Sequence, residues 1–306
     1  THYGVKTLTV SSSMTATVAT STWAVGDEAV TLQVSVDSSK YQDPDNYGFT
    51  ITIRNHHTSA SVKGDFVTPW GFDTTATVVV VDEDTGSELG ASNVAWASFD
   101  YAHYTDENFT ISSSLSVTLN TDPWSVGTES ITLTVGLNGD YDAPSSYSFS
   151  ITIRNHYTTA SVSGDLTTPW GFDTTVTVIV TDKDTGSTLS ASDVSWANFD
   201  YATAGYADEN FTISGSLTLT LNTDSWSVGD ESVTLSLAVK GDYYDPSDYD
   251  FTITIRKHYT SVSAGGDLVT PWGFDTTIKI MLVDEDTGNS LTQSDISSAI
   301  LQTTHY

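Results

Sequence analysis

Apolar and polar residues alternate along most of this chain, and the same alternating runs recur at a fixed spacing. One run places apolar residues at Val30, Leu32 and Val34, and equivalent runs begin at Ile131 and Val233. A period of two with one polar face is typical of antiparallel strands that pack against a second sheet. The pattern therefore predicts an all-β chain.

The middle repeat shows how the strands are expected to divide. The predicted strands are A at Ala160–Val162, B at Thr175–Thr181, C at Val194–Phe199, E at Leu217–Leu221, F at Ser232–Val239 and G at Tyr249–Arg256. Trp196 is the predicted core aromatic residue of strand C. Short strands separated by Gly, Pro, Asn and Asp turns predict an immunoglobulin-like β-sandwich.

The segment Thr-Pro-Trp-Gly-Phe-Asp-Thr-Thr organises the repeat. It occurs at Thr68–Thr75, Thr168–Thr175 and Thr270–Thr277, so the period is about 100 residues. A period of that length indicates a linear array of small domains. Complete domains are predicted at 55–155 and 156–257. Residues 1–54 correspond to strands E, F and G of a further domain, and residues 258–306 correspond to its strands A, B and C.

The two outer segments are predicted to be complementary halves of one split domain. Thr1-His2-Tyr3 and Thr304-His305-Tyr306 both align with Ala102-His103-Tyr104, between strands C and E. A half-sandwich exposes an apolar face and unpaired strand edges. Three interpretations follow: head-to-tail completion between neighbouring copies, closure within one chain, or a window of a longer array. The first and third both predict a filament.

The charge balance excludes two classes of partner. The 306 residues include 10 basic and 39 acidic side chains, a net charge of −29. Such a surface repels nucleic acid and anionic membranes and attracts cations. No apolar run is long enough for membrane insertion. The chain has no cysteine, so no disulfide, metal thiolate or thiol nucleophile is expected.

Two longer segments carry a resemblance to known proteins. They are PWGFDTTVTVIVTDKDTGSTLSASDV at 169–194 and NTDSWSVGDESVTLSLAVKGDYYDPSDYDFTITI at 222–255. The pattern resembles the tandem immunoglobulin-like repeats of prokaryotic, especially archaeal, surface proteins and adhesins, and the resemblance covers essentially the whole chain. It implies an extracellular array, surface layer, stalk or filament, and it implies no catalytic site.

Acidic turns supply candidate calcium ligands. The Asp-x-Asp-Thr-Gly turns and the F–G loops are expected to share one end of each sandwich. The candidate ligands are Asp82, Asp84, Asp182, Asp184, Asp284 and Asp286 in the turns, and Asp140, Asp142, Asp242 and Asp245 in the loops. Calcium needs six to eight oxygens, and one turn supplies about three. The alternatives are hairpin turns capped by Asp and solvated acidic loops.

Aromatic residues and histidines mark the expected joints between domains. The tryptophans at the opposite end of each sandwich are interpreted as plugs of the core that also contribute to the joint, with sugar stacking as the alternative; they are Trp70, Trp124, Trp170, Trp226 and Trp272. The linker histidines are His56, His57, His156 and His258. They have no recurring carboxylate within two to four residues, so hydrogen-bonded histidines are expected and a zinc site is not.

The remaining motifs complete the functional prediction. Asn108-Phe-Thr110 and Asn210-Phe-Thr212 are equivalent N-glycosylation sequons, whereas the first repeat has Thr7-Leu-Thr9 there. No constellation breaks the repeat, so no enzymatic activity is expected. The sequence predicts an extracellular structural subunit that joins identical copies head to tail, with no required cofactor except possible calcium. The alternative is a calcium-stiffened adhesin or carbohydrate-binding array.

Overall fold

The computed structural model describes residues 4–302 and residue 304. The chain divides into two compact units, Thr1–Arg154 and Asn155–Tyr306. Each unit contains one complete β-sandwich and one of the two outer segments. The described residues are almost entirely strands and loops, with short 3-10 helices at Ala91–Asn93, Ala191–Asp193 and Gln293–Asp295.

The described part of the first unit contains strands β1 to β11. Their bounds are β1 Gly26–Leu32, β2 Tyr47–Ile53, β3 Thr58–Gly64, β4 Val67–Pro69, β5 Thr74–Asp82, β6 Ser87–Glu88, β7 Val94–Tyr101, β8 Glu107–Thr110, β9 Ser116–Leu119, β10 Gly127–Leu137 and β11 Tyr147–Arg154. The complete sandwich runs from β3 to β11. One sheet joins β3, β5, β6 and β9, and the other has the order β4-β11-β10-β7-β8.

The second unit repeats this arrangement. Its strands are β12 Thr158–Gly164, β13 Thr167–Pro169, β14 Thr174–Asp182, β15 Val194–Tyr201, β16 Glu209–Thr212, β17 Thr218–Leu221, β18 Gly229–Val239, β19 Tyr249–Arg256, β20 Thr260–Gly266 and β21 Ile278–Asp284. The sheets are β12-β14-β17 and β13-β19-β18-β15-β16. Strand β13 pairs in parallel with β19. These are the A-B-E and A′-G-F-C-C′ sheets of an immunoglobulin-like sandwich, so the predicted fold class is confirmed.

The core lies between the two sheets and follows the predicted alternation. Val176, Val178 and Val180 point inward from β14 and are buried, and Phe199 and Leu235 meet them from the opposite sheet. Burial of such aliphatic and aromatic side chains is the main stabilising contribution to each sandwich.

The prediction that Trp196 is the core aromatic residue of strand C is wrong. Trp196 is 42% exposed, whereas Phe199 is fully buried. A β-bulge shifts the register between Val194 and Trp196. The bulge reverses the alternation, so Trp196 reaches solvent and Ala197 turns inward.

Each outer segment forms two of its three predicted strands. In 4–54, β1 and β2 pair as F and G, and the described residues before Gly26 form no strand. In 258–302, β20 and β21 pair as A and B, and the described residues after Asp284 form no strand. The reason lies in the topology. In a complete sandwich E pairs with B and C pairs with F, so each outer segment lacks the partner of its third strand.

Candidate functional site

The Asp-x-Asp-Thr-Gly segments form hairpin turns capped by their first aspartate. Asp82 accepts hydrogen bonds from the backbone N–H of Asp84 at 3.0 Å and from the hydroxyl of Thr85 at 2.9 Å. Gly86 has a φ of 72°, which few other residues adopt without strain. Burial opposes ionisation of Asp82, but the bonds from Thr85 and His56 hold its pKa below the ordinary value.

An arginine at the start of the linker binds the second aspartate of the turn. The two guanidinium nitrogens of Arg54 lie 2.7 and 2.5 Å from the carboxylate oxygens of Asp84. The backbone N–H of His57 donates to the same carboxylate at 3.0 Å. The arginine, and after it this N–H, hold the pKa of Asp84 below its usual range. Arg256 binds Asp286 in the same bidentate geometry and lowers the pKa of that carboxyl to about 2.

A histidine at each linker contacts the first aspartate of the following turn. The Nδ1-to-carboxylate distances are 2.9 Å from His56 to Asp82, 2.9 Å from His156 to Asp182 and 2.7 Å from His258 to Asp284. No carboxylate was expected within two to four residues of these histidines, but each histidine has a carboxylate partner 26 residues further along the chain. Two paired strands lie between each histidine and its aspartate, and their antiparallel pairing brings the turn back to the linker.

His258 also contacts the preceding sandwich of its unit. Its Nε2 lies 2.6 Å from the backbone carbonyl oxygen of Trp170, while its Nδ1 faces Asp284. Both neighbours are acceptors, so both ring nitrogens must donate, which favours the imidazolium form. The Trp170 carbonyl first, and Asp284 with it, raises the pKa of His258. This ion joins the tryptophan loop of one sandwich to the acidic turn of the next segment.

The second acidic loop lies beside the same linker. The carboxylate of Asp142 accepts a hydrogen bond from the Asn55 side chain at 3.1 Å, and its backbone carbonyl accepts one from Thr58 at 2.6 Å. The backbone N–H of His56 donates to the backbone carbonyl oxygen of Asp140. The backbone carbonyl oxygen of Asp242 likewise accepts a hydrogen bond from the backbone N–H of His156. Asp245 instead caps its own strand, accepting from the Val239 N–H at 2.8 Å. The two acidic loops therefore meet at one end of the sandwich, as the connectivity predicts.

Among the residues that the structure describes, three groups of side chains could hold a metal ion, one at each linker. They are His56 with Asp82 and Asp84, His156 with Asp182 and Asp184, and His258 with Asp284 and Asp286, each with ligand atoms within 4.8 Å of one another. One nitrogen and two carboxylates fall short of the oxygen-rich sphere that calcium prefers. In the first and third groups an arginine occupies the second carboxylate. A cation would have to displace it, and calcium binding stays a prediction.

The predicted end tryptophans fall into two structural classes. Trp124 and Trp226 are buried at the core edge. Trp124 stacks on Tyr104 with 4.6 Å between ring centroids, and Trp226 stacks on Tyr206 at 4.8 Å. The tryptophans of the A–B loops are exposed instead, and they are Trp70, Trp170 and Trp272.

The outer segments expose side chains that the complete sandwiches bury. Leu32 in β1 is 39% exposed, whereas its equivalent Leu133 is fully buried. Ile280 in β21 is 48% exposed, and its equivalent Val178 is buried. Val34, Ile278 and Leu301 show the same contrast with their counterparts. These side chains, together with the unpaired edges of β1 and β21, are called the open sandwich faces below.

The sequon asparagines lie on an edge strand. Asn108 is in β8 and Asn210 is in β16, at the end of the larger sheet of each sandwich. Both side chains are exposed, and so are Thr110 and Thr212 of the same sequons. The position is accessible to a modifying enzyme.

The geometry defines tandem immunoglobulin-like sandwiches with open sandwich faces in both outer segments. No protein-family model and no curated protein matches the sequence. Among solved structures the chain is similar to adhesin InvE of Yersinia pseudotuberculosis, with 16% identity over 64% of this chain and 58% of that one, at a TM-score of 0.25. It is also similar to the FN1–FN3 domains of chicken CNTN1, with 10% identity over 74% of this chain and 76% of that one, at 0.25.

A third similar structure is the transglutaminase of red sea bream, with 12% identity over 65% of this chain and 31% of that one, at a TM-score of 0.31. The chain thus spans less than two thirds of the adhesin and about one third of the transglutaminase. At these scores and identities the likeness establishes neither a family nor a function. Within the described residues no helix is long and apolar enough to cross a membrane.

Proposed function

We propose that this chain is a structural subunit of an extracellular filament or surface layer, in which neighbouring copies join head to tail. The observation that carries the proposal is the pair of open sandwich faces. Residues 4–54 contain the segments for E, F and G, and residues 258–302 contain those for A, B and C. Each outer segment offers the strands that the other lacks, so a second copy of this chain is a matched partner.

The complete sandwiches give the register of the proposed junction. In the second unit Phe199 of strand C pairs with Leu235 of strand F. The equivalent pair in the junction is Leu301 of one copy with Leu32 of the next. In the same unit Val176 of strand B pairs with Leu219 of strand E, and the equivalent pair at the junction is Ile278 of one copy with Ala16 of the next.

The linker network supplies a second contact across the junction. His258 binds the carbonyl oxygen of Trp170 within its unit. The equivalent residues at the junction are His56 of one copy and Trp272 of its neighbour. The side chain of His56 is 45% exposed, against 22% for His258, and Trp272 is fully exposed. Head-to-tail assembly would place His56 on the carbonyl oxygen of Trp272 and lower the exposure of His56, as the contact with Trp170 does for His258.

Burial of the exposed apolar side chains contributes substantially to the proposed junction. Leu32, Val34, Ile278, Ile280 and Leu301 are on average about half exposed. Full burial of one such side chain contributes about 1.5–3 kcal/mol, so covering these five contributes about 4–7 kcal/mol before strand hydrogen bonds are added. Association costs and interface ordering oppose this gain. Hydrogen bonds between the strands of the two copies, as in β-strand addition, must add to the hydrophobic gain for the junction to overcome these costs.

The proposed role needs no catalysis. The clustered side chains recur at every linker, where each histidine meets two aspartates of a turn. We propose an extracellular location because the proposed assembly of immunoglobulin-like sandwiches is a filament or surface layer. The net charge of −29 would keep copies soluble apart from the matched junction.

Electron microscopy of the full chain tests the proposal. Purified protein should form long fibres with a beaded repeat of one sandwich, and the fibres should persist in EDTA. Discrete monomers at all concentrations would contradict the proposal. Fibres that dissociate in EDTA would favour the alternative of calcium-stiffened joints, which the His-Asp-Asp groups at the linkers support.

A further inference from the structure

The exposed tryptophan of strand C shares a sheet face with the sequon of strand C′. In the second unit Trp196 pairs across the ladder with Thr212, and Asn198 pairs with Asn210. Residues two apart in a strand point to the same side, so Trp196, Asn210 and Thr212 all face solvent together. Trp196 and Asn210 line an open groove of about 620 Å³ together with Asn198, Asp200, Asp208 and Ser236.

The first unit builds the same face. Trp96 pairs with Thr110, and Ser98 pairs with Asn108. The indole of Trp96 lies flat over the neighbouring strand, where a Cβ placed on Gly136 would come within 2.1 Å of the ring nitrogen. Gly136 lets the ring approach the backbone closely in the first unit, whereas Ala238 is the residue paired with Trp196 in the second. Both tryptophans are more than 40% exposed.

The split domain provides an internal comparison. At the position of the sequon asparagine it has Thr7, and at the position of the tryptophan it has Ser298. The sequon and the exposed tryptophan are thus present together in both complete sandwiches and absent together from the third repeat. A tryptophan kept for general packing would have no reason to follow the sequon.

We propose that Asn108 and Asn210 carry N-linked glycans, and that the first sugar of each glycan packs on the exposed face of Trp96 or Trp196. The inference is independent of filament assembly. It assigns a function to an exposed aromatic side chain that the fold itself does not need. A sugar seated there would also cover the edge strand of each larger sheet, an edge that is otherwise open to pairing with other chains.

The modification follows ordinary glycosyl-transfer chemistry carried out by a separate transferase. The donor is an oligosaccharide linked to a lipid phosphate. The side-chain nitrogen of the asparagine forms a bond to the anomeric carbon, and the carbon–oxygen bond to the donor phosphate breaks. The phosphate leaves with the bonding electrons, and the amide proton passes to a base of the transferase.

The packing of a sugar on the indole has a direct physical basis. The π-face of tryptophan carries negative charge density, and the C–H bonds on one face of a pyranose are weakly positive. Contact removes apolar surface of both partners from water. The polar groups of the groove, such as Asn198 and Asp200, lie where they could bind the hydroxyls on the rim of the ring.

The test combines glycopeptide mass spectrometry with hydroxyl-radical footprinting of the full chain from a glycosylating host. The variant Thr212→Ala removes the sequon, and Thr212→Ser keeps it as a matched control. Thr212 is exposed, so neither change disturbs the core. Oxidation of Trp170, which is also exposed, serves as the internal reference.

We expect a sugar mass on Asn108 and Asn210, and oxidation of Trp196 that is several-fold slower in the wild type and in Thr212→Ser than in Thr212→Ala. Absence of sugar at both asparagines in the native protein would overturn the proposal. So would glycosylated protein in which Trp196 is oxidised as fast as in Thr212→Ala, since the sugar would then not rest on the ring.

Discussion

Leu301→Ala should weaken assembly without weakening the complete sandwiches. In the proposed junction Leu301 takes the place of Phe199 and enters the core beside Leu32 of the neighbouring copy. Leu301 is 75% exposed in the single chain, so truncation costs the free subunit little. In a completed core the same truncation costs about 2–5 kcal/mol, which weakens the junction at least about 30-fold.

The adjacent residue is a matched control. Ile300 is 82% exposed, and its equivalent Asn198 lies on the solvent face of the complete sandwich. Ile300→Ala removes a side chain of the same size from the other side of the strand, and it should change assembly by less than about threefold. The difference between the two variants depends only on which side of the strand faces the core.

Sedimentation velocity across a concentration series measures the effect. Leu301→Ala should move the onset of polymerisation to a concentration at least about 30-fold higher, while thermal unfolding of the complete sandwiches stays unchanged. Equal effects of the two variants would refute the reasoning, because a side chain that packs in a specific register cannot be replaced by its neighbour.

Two further predictions concern the linker and the core. His258→Gln removes an imidazolium whose pKa is raised in the folded chain. The stability that this imidazolium adds is therefore fully present below about pH 6.5 and is lost as pH rises through the raised pKa. Amide exchange in β20 and β21 should be about fivefold faster in the variant at pH 5, which corresponds to about 1 kcal/mol of lost stability, and the two proteins should exchange at the same rate at high pH. Trp226→Ala should lower the free energy of unfolding by about 3–5 kcal/mol, whereas Trp196→Ala should lower it by less than about 1 kcal/mol, and urea titration followed by circular dichroism separates the two.

Alternation in the sequence was enough to predict the fold and most of the core. Val176, Val178 and Val180 are buried as the period of two requires. The alternation cannot reveal a β-bulge, which inserts one residue without changing composition, so the sequence pattern alone places Trp196 on the wrong side of the sheet.

The linker network was beyond sequence reasoning for a different reason. His258 and Asp284 are 26 residues apart, and only the pairing of β20 with β21 brings them together. The residues two to four positions from His258 include no carboxylate that recurs at the other linkers. The recurring order of arginine, histidine and two aspartates across all three repeats was the signal that could have indicated it.

The absence of strands E and C from the outer segments also reflects long-range pairing. The sequence around Ala16 has the same alternation as its counterparts, and Ala299 and Leu301 are apolar like Ala197 and Phe199, yet those residues form no strand. A strand needs a hydrogen-bonded neighbour, and a local pattern alone does not provide one.

Disulfide trapping between two single-cysteine chains tests the split-domain junction most directly. Thr177 and Thr218 are cross-strand neighbours with hydroxyls 3.0 Å apart, and their equivalents at the junction are Lys279 and Thr15. The chain has no native cysteine, so every disulfide in a mixture of Lys279→Cys and Thr15→Cys chains joins introduced cysteines, and the heterodimer is distinguished from either homodimer by its mass when one chain carries a tag. The account predicts a covalent heterodimer in high yield, and little product when Thr17→Cys replaces Thr15→Cys, because the diagonal separation is too long for a disulfide. Absence of the heterodimer, or equal yields from both pairs, would contradict it.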